Sequence, residues 1–486
     1  MTKLSYTKMQ YKSELSKSDL IWGYVAKLVG LGSGIIVLPL ILHLLDENEI
    51  AMNYIMQNLM GFVILFDIGF SNQFARNFAF IYGGAQEITK EGTPTNISNH
   101  INYELLYRII KAAKKFYGIM SIVLAIALIT GGSAYVYRFT DGFTVVKNAL
   151  ELWLAFSASI VLDFYFRYYN PLLRGQGNIA AMNKIEAITT IIRIFLVMGL
   201  LLSGFGLWSI AISNFVRILI ARLWYVKIFY TEHIKAVFAT FKNNHYNDLD
   251  IIRVLWFNAK KSMIVTLATL ACTQFSLFYS GLYLEKATVA GYGILLQFVN
   301  IISGLGSTVN NNLTSVFSTL RTVGDYERIR KNLFFAMGIM YCFYIVGAST
   351  VMFLGPPVLH LIGSNAVLPS VLIMFLAFLY RFLQDQHCVC SIYLTTQNKI
   401  VDFESSIIVG VLATVLPLLF LKYTDLGLIG VILGQIIAQL VYPNWKWPYE
   451  VCKEFKISYP RLVYNSFFTT FRMGRDYFKR LLINKQ

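Results

Sequence analysis

The chain returns repeatedly to apolar runs of about 20 residues, the length a helix needs to cross the hydrocarbon core of a bilayer. On that template twelve spans can be placed, at residues 20–43, 50–78, 117–137, 149–171, 184–203, 206–228, 260–283, 288–317, 333–354, 366–394, 401–421 and 426–446. Composition agrees, since 56% of residues are hydrophobic and only 14% charged, against about a quarter charged in a soluble domain. The expected fold class is an all-α polytopic membrane protein with about 12 transmembrane helices. The first 19 residues are polar and no small-residue cleavage site follows the first apolar run, so an uncleaved first helix is expected rather than a signal peptide.

Lys and Arg then set the orientation, because they accumulate in cytoplasmic segments. Most of the 42 lie in the two tails and in the loops after even-numbered spans, while the other side holds Arg138, Lys147, Lys286 and Lys422. Both termini are therefore expected in the cytoplasm. The net charge of +16 reports this topology; nucleic-acid binding would need the basic residues gathered on a soluble face. Cys272, Cys342, Cys388, Cys390 and Cys452 are scattered and odd in number, which suggests no disulfide framework, and His387 beside Cys388 and Cys390 lacks a second ligand group at zinc spacing.

Outer loops are short, the longest running from about Arg138 to Asn148, so no external domain is available for a catalytic site. No G-x-x-x-x-G-K-[ST] loop is present for nucleotide hydrolysis. A polar link around residues 231–258 divides the spans six and six, and the halves repeat. Gly118-Ile-Met returns as Gly338-Ile-Met, Gln176 and Asn178 as Gln397 and Asn398, Gly206-Leu as Gly427-Leu, and Tyr103-Glu104 as Tyr326-Glu327. Upstream, Asp67–Gln73 (DIGFSNQ) aligns with Gly304–Asn310 (GLGSTVN). Each half has an even number of spans, so the two share one orientation, and a parallel repeat of this kind suits alternating access between lobes. The domain reading is a cytoplasmic tail 1–19, an N-lobe 20–230, a cytoplasmic linker 231–258, a C-lobe 259–450 and a basic amphipathic cytoplasmic tail 451–486. In that last tail Tyr464, Phe467, Phe468, Phe471 and Phe478 are spaced for one apolar face, as in a helix lying on anionic lipid.

Charges within spans are costly and mark cavities or partners. The basic ones assigned to the spans are Lys27, Arg76, Arg167, Arg193 and Arg217 in the first lobe and Arg381 in the second. Asp163 can pair with Arg167, and Asp385 with Arg381, each at helical i,i+4 spacing. Asp67, Asp163 and Asp385 are the carboxylates nearest membrane depth and the candidates for ion coupling, to H+ or Na+. Arg76 near the end of span 2 either faces a cavity or anchors its helix at the headgroups. In span 8, Gln297, Asn300, Gly304, Ser307 and Asn311 form a polar stripe at helical spacing, as expected of a wet or protein-facing side.

The basic tail before span 1, the FDIGFSNQFARNFAF ending of span 2, the NPLLRGQGN sequence at Asn170–Asn178 and the repeat together resemble the bacterial polysaccharide repeat-unit flippases. These O-antigen and capsule exporters belong to the MATE-like multidrug/oligosaccharidyl-lipid/polysaccharide exporter superfamily. The resemblance implies two pseudo-symmetric six-helix lobes and a secondary transporter in the bacterial inner membrane, not an enzyme, with no cofactor. The implied substrate is an undecaprenyl-pyrophosphate-linked oligosaccharide, with membrane lipids and polysaccharide assembly proteins as partners and a monomer as the working unit. The chain departs from the lipid II flippases in lacking two further spans after the twelfth. An anionic, sugar-bearing cargo needs positive charge and hydrogen bonds within the membrane. The substrate-binding candidates are accordingly Lys27, Arg76, Arg193, Arg217 and Arg381, with Gln297, Asn300 and Asn311 for the sugars. A multidrug exporter of the same fold is the first alternative, and a membrane polysaccharide polymerase the second.

Overall fold

The structure, a computed structural model, describes residues 15–483 apart from residues 62, 68, 141, 145, 243–247, 285 and 362–367. Most of the 1–19 tail and the last residues of the 451–486 tail lie outside the described residues. Every element longer than an isolated bridge at Ala85 and Ile97 is a helix among the described residues. The chain divides into two compact units, Met1–Ala259 and Lys260–Gln486.

The first unit opens with α1 (Lys17–Leu44), followed by α2 (Glu47–Gly61), α3 (Ile64–Asp67) and α4 (Phe70–Tyr82). Then come α5 (Tyr103–Ala127), a π turn at Leu128–Gly132, α6 (Ser133–Phe139), α7 (Ala149–Phe166), α8 (Tyr169–Gly175), α9 (Ile179–Leu202), α10 (Trp208–Phe229) and α11 (Glu232–Phe241). The long α12 (Asp248–Tyr283) starts in this unit and continues into the second, which holds α13 (Lys286–Gly306), α14 (Thr308–Val323), α15 (Tyr326–Leu361), α16 (Val371–Thr395), α17 (Phe403–Tyr423), α18 (Gly427–Val441), α19 (Pro443–Phe455) and α20 (Tyr459–Ile483). Eight helical stretches among the described residues are individually long and apolar enough to cross a membrane. Their outward faces carry bare apolar side chains such as Ile122 (63% exposed), Phe195 (69%) and Phe353 (74%). Exposure on that scale is unfavourable in water and neutral in lipid.

The second span, expected as one helix over 50–78, is broken. Gly69 has φ +70° and separates α3 from α4, a conformation glycine adopts without steric cost. In the second unit the break between α13 and α14 falls just after Gly306, which the repeat aligns with Gly69. Other repeat anchors coincide with backbone geometry as well. Gly206 and Gly427 take φ of +52° and +53° before α10 and at the start of α18. Helices α5 and α15 open on their Tyr-Glu pairs, each capped by the preceding side chain: Asn102 accepts from the Leu105 N–H at 2.9 Å, and Asp325 from the Arg328 N–H at 3.1 Å.

Within the first unit, α1 packs along α9, α9 along α10, α5 along α7 and α4 along α8. Its core is strongly aromatic. Phe70 stacks on Phe116 with centroids 3.9 Å apart, and Phe74, Tyr117 and Phe164 continue the cluster. The 231–258 segment is largely helical, and α11 buries Ile234, Val237 and Phe238 against this core. In the second unit α17 lies against α18, and α13 and α16 against α15. The C-terminal helix α20 docks along α15, with Leu462 and Ser466 fully buried and Tyr464, Phe468 and Phe471 exposed. The lipid-facing side expected of this tail thus has a protein-facing side opposite it.

Candidate functional site

Where α7 gives way to α8, its last turn brings Asp163 and Arg167 to the same side of the helix. Arg217, Ile218, Ala221, Arg222 and Tyr225 recur at three- and four-residue steps along one face of α10. Between these faces and α9 lies a cavity of about 350 Å3, lined by Asp163, Arg167, Asn170, Glu186, Arg217 and Arg222, with Ser71, Thr189 and several apolar residues. Arg217 Nη2 donates to Asp163 Oδ1 at 2.5 Å, while Arg167 Nη2 stands 3.8 Å from Asp163 Oδ2. Coulomb attraction falls with distance, so Arg217 is the principal partner. The i,i+4 pairing expected from sequence is present but secondary. All three side chains are only 20–28% exposed, so the pair is not a freely solvated surface contact.

Glu186 completes the cavity's charge. It lies within electrostatic reach of Arg217, Asp163 and Lys27, and Arg193 within reach of Arg217. Arg222 donates to the Tyr169 hydroxyl and lies 4.8 Å from the Phe166 ring centre and 4.9 Å from that of Tyr169, contacts that orient a guanidinium without neutralising it. Three guanidiniums therefore face two carboxylates on the lining itself. Neither Glu186 nor Arg222 stands out in the sequence as a site residue. Glu186 sits close to the expected start of span 5 and Arg222 toward the expected end of span 6, where charges pass for headgroup anchors.

Asp67 stands just behind this wall. The break at Gly69 starts a new helix at Phe70, whose first-turn N–H groups have no intrahelical acceptor. Asp67 accepts from the Ser71 N–H at 3.2 Å and from the Tyr117 hydroxyl at 2.6 Å. Arg167 lies within its electrostatic reach, so Asp67 and the cavity share one charge. Arg76 is placed elsewhere. It is 5% exposed on α4, donates to the Gln73 side chain, and does not line the cavity.

In the second unit Arg381 is the hub. Its Nε donates to Ser303 Oγ at 2.9 Å and its Nη1 to Gln384 Oε1 at 3.2 Å, and it stands 3.5 Å from Asp385. Asp385, 7% exposed, also accepts from the Tyr344 hydroxyl at 2.6 Å. Gln297, Asn300 and Asn311 are exposed. Asp402 lines a small cavity of about 50 Å3 with His387, Gln384 and Gln439.

No protein-family model matches the chain, and no curated protein matches it in sequence. Solved structures do match. A MATE transporter in its bent conformation aligns with TM-score 0.66 at 17% identity over 93% of this chain and 95% of its own. The fold is the MATE fold. An outward-facing multidrug resistance MATE family transporter of the MOP superfamily aligns with TM-score 0.65 at 16% identity, covering 92% of this chain and 94% of that one. A MOP superfamily transporter from Pyrococcus furiosus, described as having a binding pocket of reversed polarity that suggests a different function, aligns with TM-score 0.60 at 17% identity, covering 91% and 95%. The all-helical MATE-like architecture of about twelve helices in two lobes is thus the architecture of this chain.

Proposed function

We propose that this protein is a secondary transporter that moves an anionic, lipid-linked oligosaccharide from the inner to the outer leaflet of a bacterial cytoplasmic membrane by alternating access. The observation that carries the reading is the cavity where Arg167, Arg217 and Arg222 converge, with Lys27 and Arg193 in electrostatic range of its charges. A phosphate or pyrophosphate is the ligand that such guanidiniums hold by paired, charge-assisted hydrogen bonds. Asp163 then acts as an internal stand-in for the cargo's phosphate, holding Arg217 until a stronger anion displaces it. Ion coupling would act on the same balance. A proton or Na+ at Asp163, or at Asp67 behind the wall, weakens the carboxylate's competition for Arg217 and Arg167, and its release restores it.

A multidrug exporter is the second reading. It is favoured by the cavity's two carboxylates and by Phe166 and Tyr225 on its lining, groups that a cationic aromatic compound could use. The matched multidrug resistance transporter and the reversed-polarity pocket both occur on this fold, so pocket charge is the property that separates the readings. Deleting the gene tests them together. A flippase mutant accumulates complete lipid-linked repeat units on the cytoplasmic face. Unchanged glycolipid with altered tolerance to cationic dyes would support drug export, and units reaching the outside unpolymerised would support a polymerase.

A further inference from the structure

A second cavity, of about 710 Å3, lies within the second unit beside α16, the ends of α18 and α19, and the turn that leads into α20. Its wall is mainly apolar and includes Leu383, Leu440, Pro448 and Ile457. Asn444 also lines it, with both atoms of its amide group buried and without a hydrogen-bond partner among the described residues. An unpartnered buried amide is a standing cost that a hydrogen-bonding ligand would remove. Lys453 and Lys456 line it too, with exposed side chains.

The charge here is not cancelled. On α19, Glu450 is taken by Lys446 at 3.0 Å, and Glu454 by Arg321 at 3.0 Å and the Tyr393 hydroxyl at 2.8 Å. No ion pair to Lys453 or Lys456 is found among the described residues. Trp445 and Tyr449, also on the lining, are 54% and 58% exposed, the amphipathic rings that settle at a membrane–water interface. An apolar slot with two bare lysines, a free amide and interfacial aromatics matches one class of molecule in both polarity and position.

We propose that this cavity binds an anionic phospholipid of the surrounding membrane, with its phosphate on Lys453 and Lys456 and an acyl chain along Leu383, Leu440 and Pro448. The lipid would brace the turn between α19 and α20. This site is separate from the first-unit cavity and does not depend on what the transporter carries.

The test uses the purified full-length protein in detergent and follows thermal unfolding as phosphatidylglycerol, phosphatidylcholine of the same chains, or inorganic phosphate is added. Phosphatidylglycerol should raise Tm well beyond phosphatidylcholine, and inorganic phosphate should leave it unchanged. The Lys453→Ala/Lys456→Ala double variant should bind phosphatidylglycerol roughly 30-fold more weakly, the factor expected when two basic residues leave an anionic surface. Asn444→Leu should weaken it as well, while Lys422→Ala, an exposed lysine on another helix, should not. Equal shifts with the two lipids, a shift with phosphate alone, or unchanged affinity in the double variant would each overturn the proposal. Because both lysines are exposed, the double variant should keep its fold. Native mass spectrometry of the wild type supplies a second readout: retained phosphatidylglycerol supports the site, and retention equal to that of phosphatidylcholine counts against it.

Discussion

Asp163 lies between two guanidiniums that reach it by different routes, one along its own helix and one from a helix 54 positions away in sequence. The i,i+4 rule found only Arg167, since helical spacing reports neighbours on one element and is silent about the element packed opposite. Arg217→Ala takes the principal partner from a half-buried carboxylate, so that variant alone confounds folding with transport. The informative set is Arg217→Ala, Arg217→Lys and Arg217→Ala with Asp163→Asn. Export should vanish in the first, persist in part in the second, and stay absent in the third even though the double change relieves the unpaired carboxylate. Quantified lipid-linked glycan export beside membrane protein level reads this out, and full export in either Ala variant would defeat the electrostatic cavity. Arg76 calls for a different experiment. The repeat puts Leu313 at its counterpart position, buried at 1% exposure, and Arg76 itself is buried on α4 at 5% exposure. Arg76→Leu is expected to shift thermal stability, with export falling only as far as the amount of folded protein falls.

Elements in this protein are held at close range by notches that only glycine can supply. A Cβ at Gly175 would lie 2.3 Å from Phe78 Cβ and 2.9 Å from the Ala75 carbonyl, so α8 approaches α4 with no room for a side chain. Gly338 does the same for the C-terminal helix, because a Cβ there would meet the Ser466 carbonyl at 2.3 Å as well as the Thr470 hydroxyl. Overpacking of a close contact costs about 1–3 kcal/mol. Gly175→Val should lower the Tm of the purified protein, and Gly338→Val should free α20, exposing its buried face to protease or to a thiol reagent on Ser466→Cys. Gly199→Ala, where nothing lies within 4 Å, should be neutral or slightly stabilising. Both notch glycines were visible in the sequence as repeat anchors or motif members. Their function as contact points was not, because the partner segment cannot be inferred from the glycine. The amphipathic pattern of α20 was legible for the same reason in reverse: periodicity marks an apolar face, and lipid and another helix satisfy it equally well.

For the whole molecule, the Lys and Arg distribution predicts that both termini share the cytoplasmic side. Reporter fusions should make a C-terminal green fluorescent protein fluoresce and a C-terminal alkaline phosphatase stay inactive; an active phosphatase would reverse the topology. The internal repeat is reinforced by backbone geometry in each unit, through the breaks at Gly69 and after Gly306 and the matched positive φ at Gly206 and Gly427. These are positions where sequence similarity was faint but conformational demand is strong, and a residue without a Cβ meets that demand most cheaply.

By itself the sequence determined the class of fold, the number of spans to within their ends, the division into two like halves and the list of charges that membrane burial makes costly. Those properties follow from local physics: hydrophobic length against bilayer thickness, positive charge against translocation, and the price of an ion in hydrocarbon. Only the tertiary structure decided which charges meet. It joined Asp163 to Arg217, added Glu186 and Arg222 to the cavity, set Arg76 apart and laid α20 against α15. Such choices depend on which faces of distant helices pack together, and helical periodicity specifies a face without specifying what lies across from it.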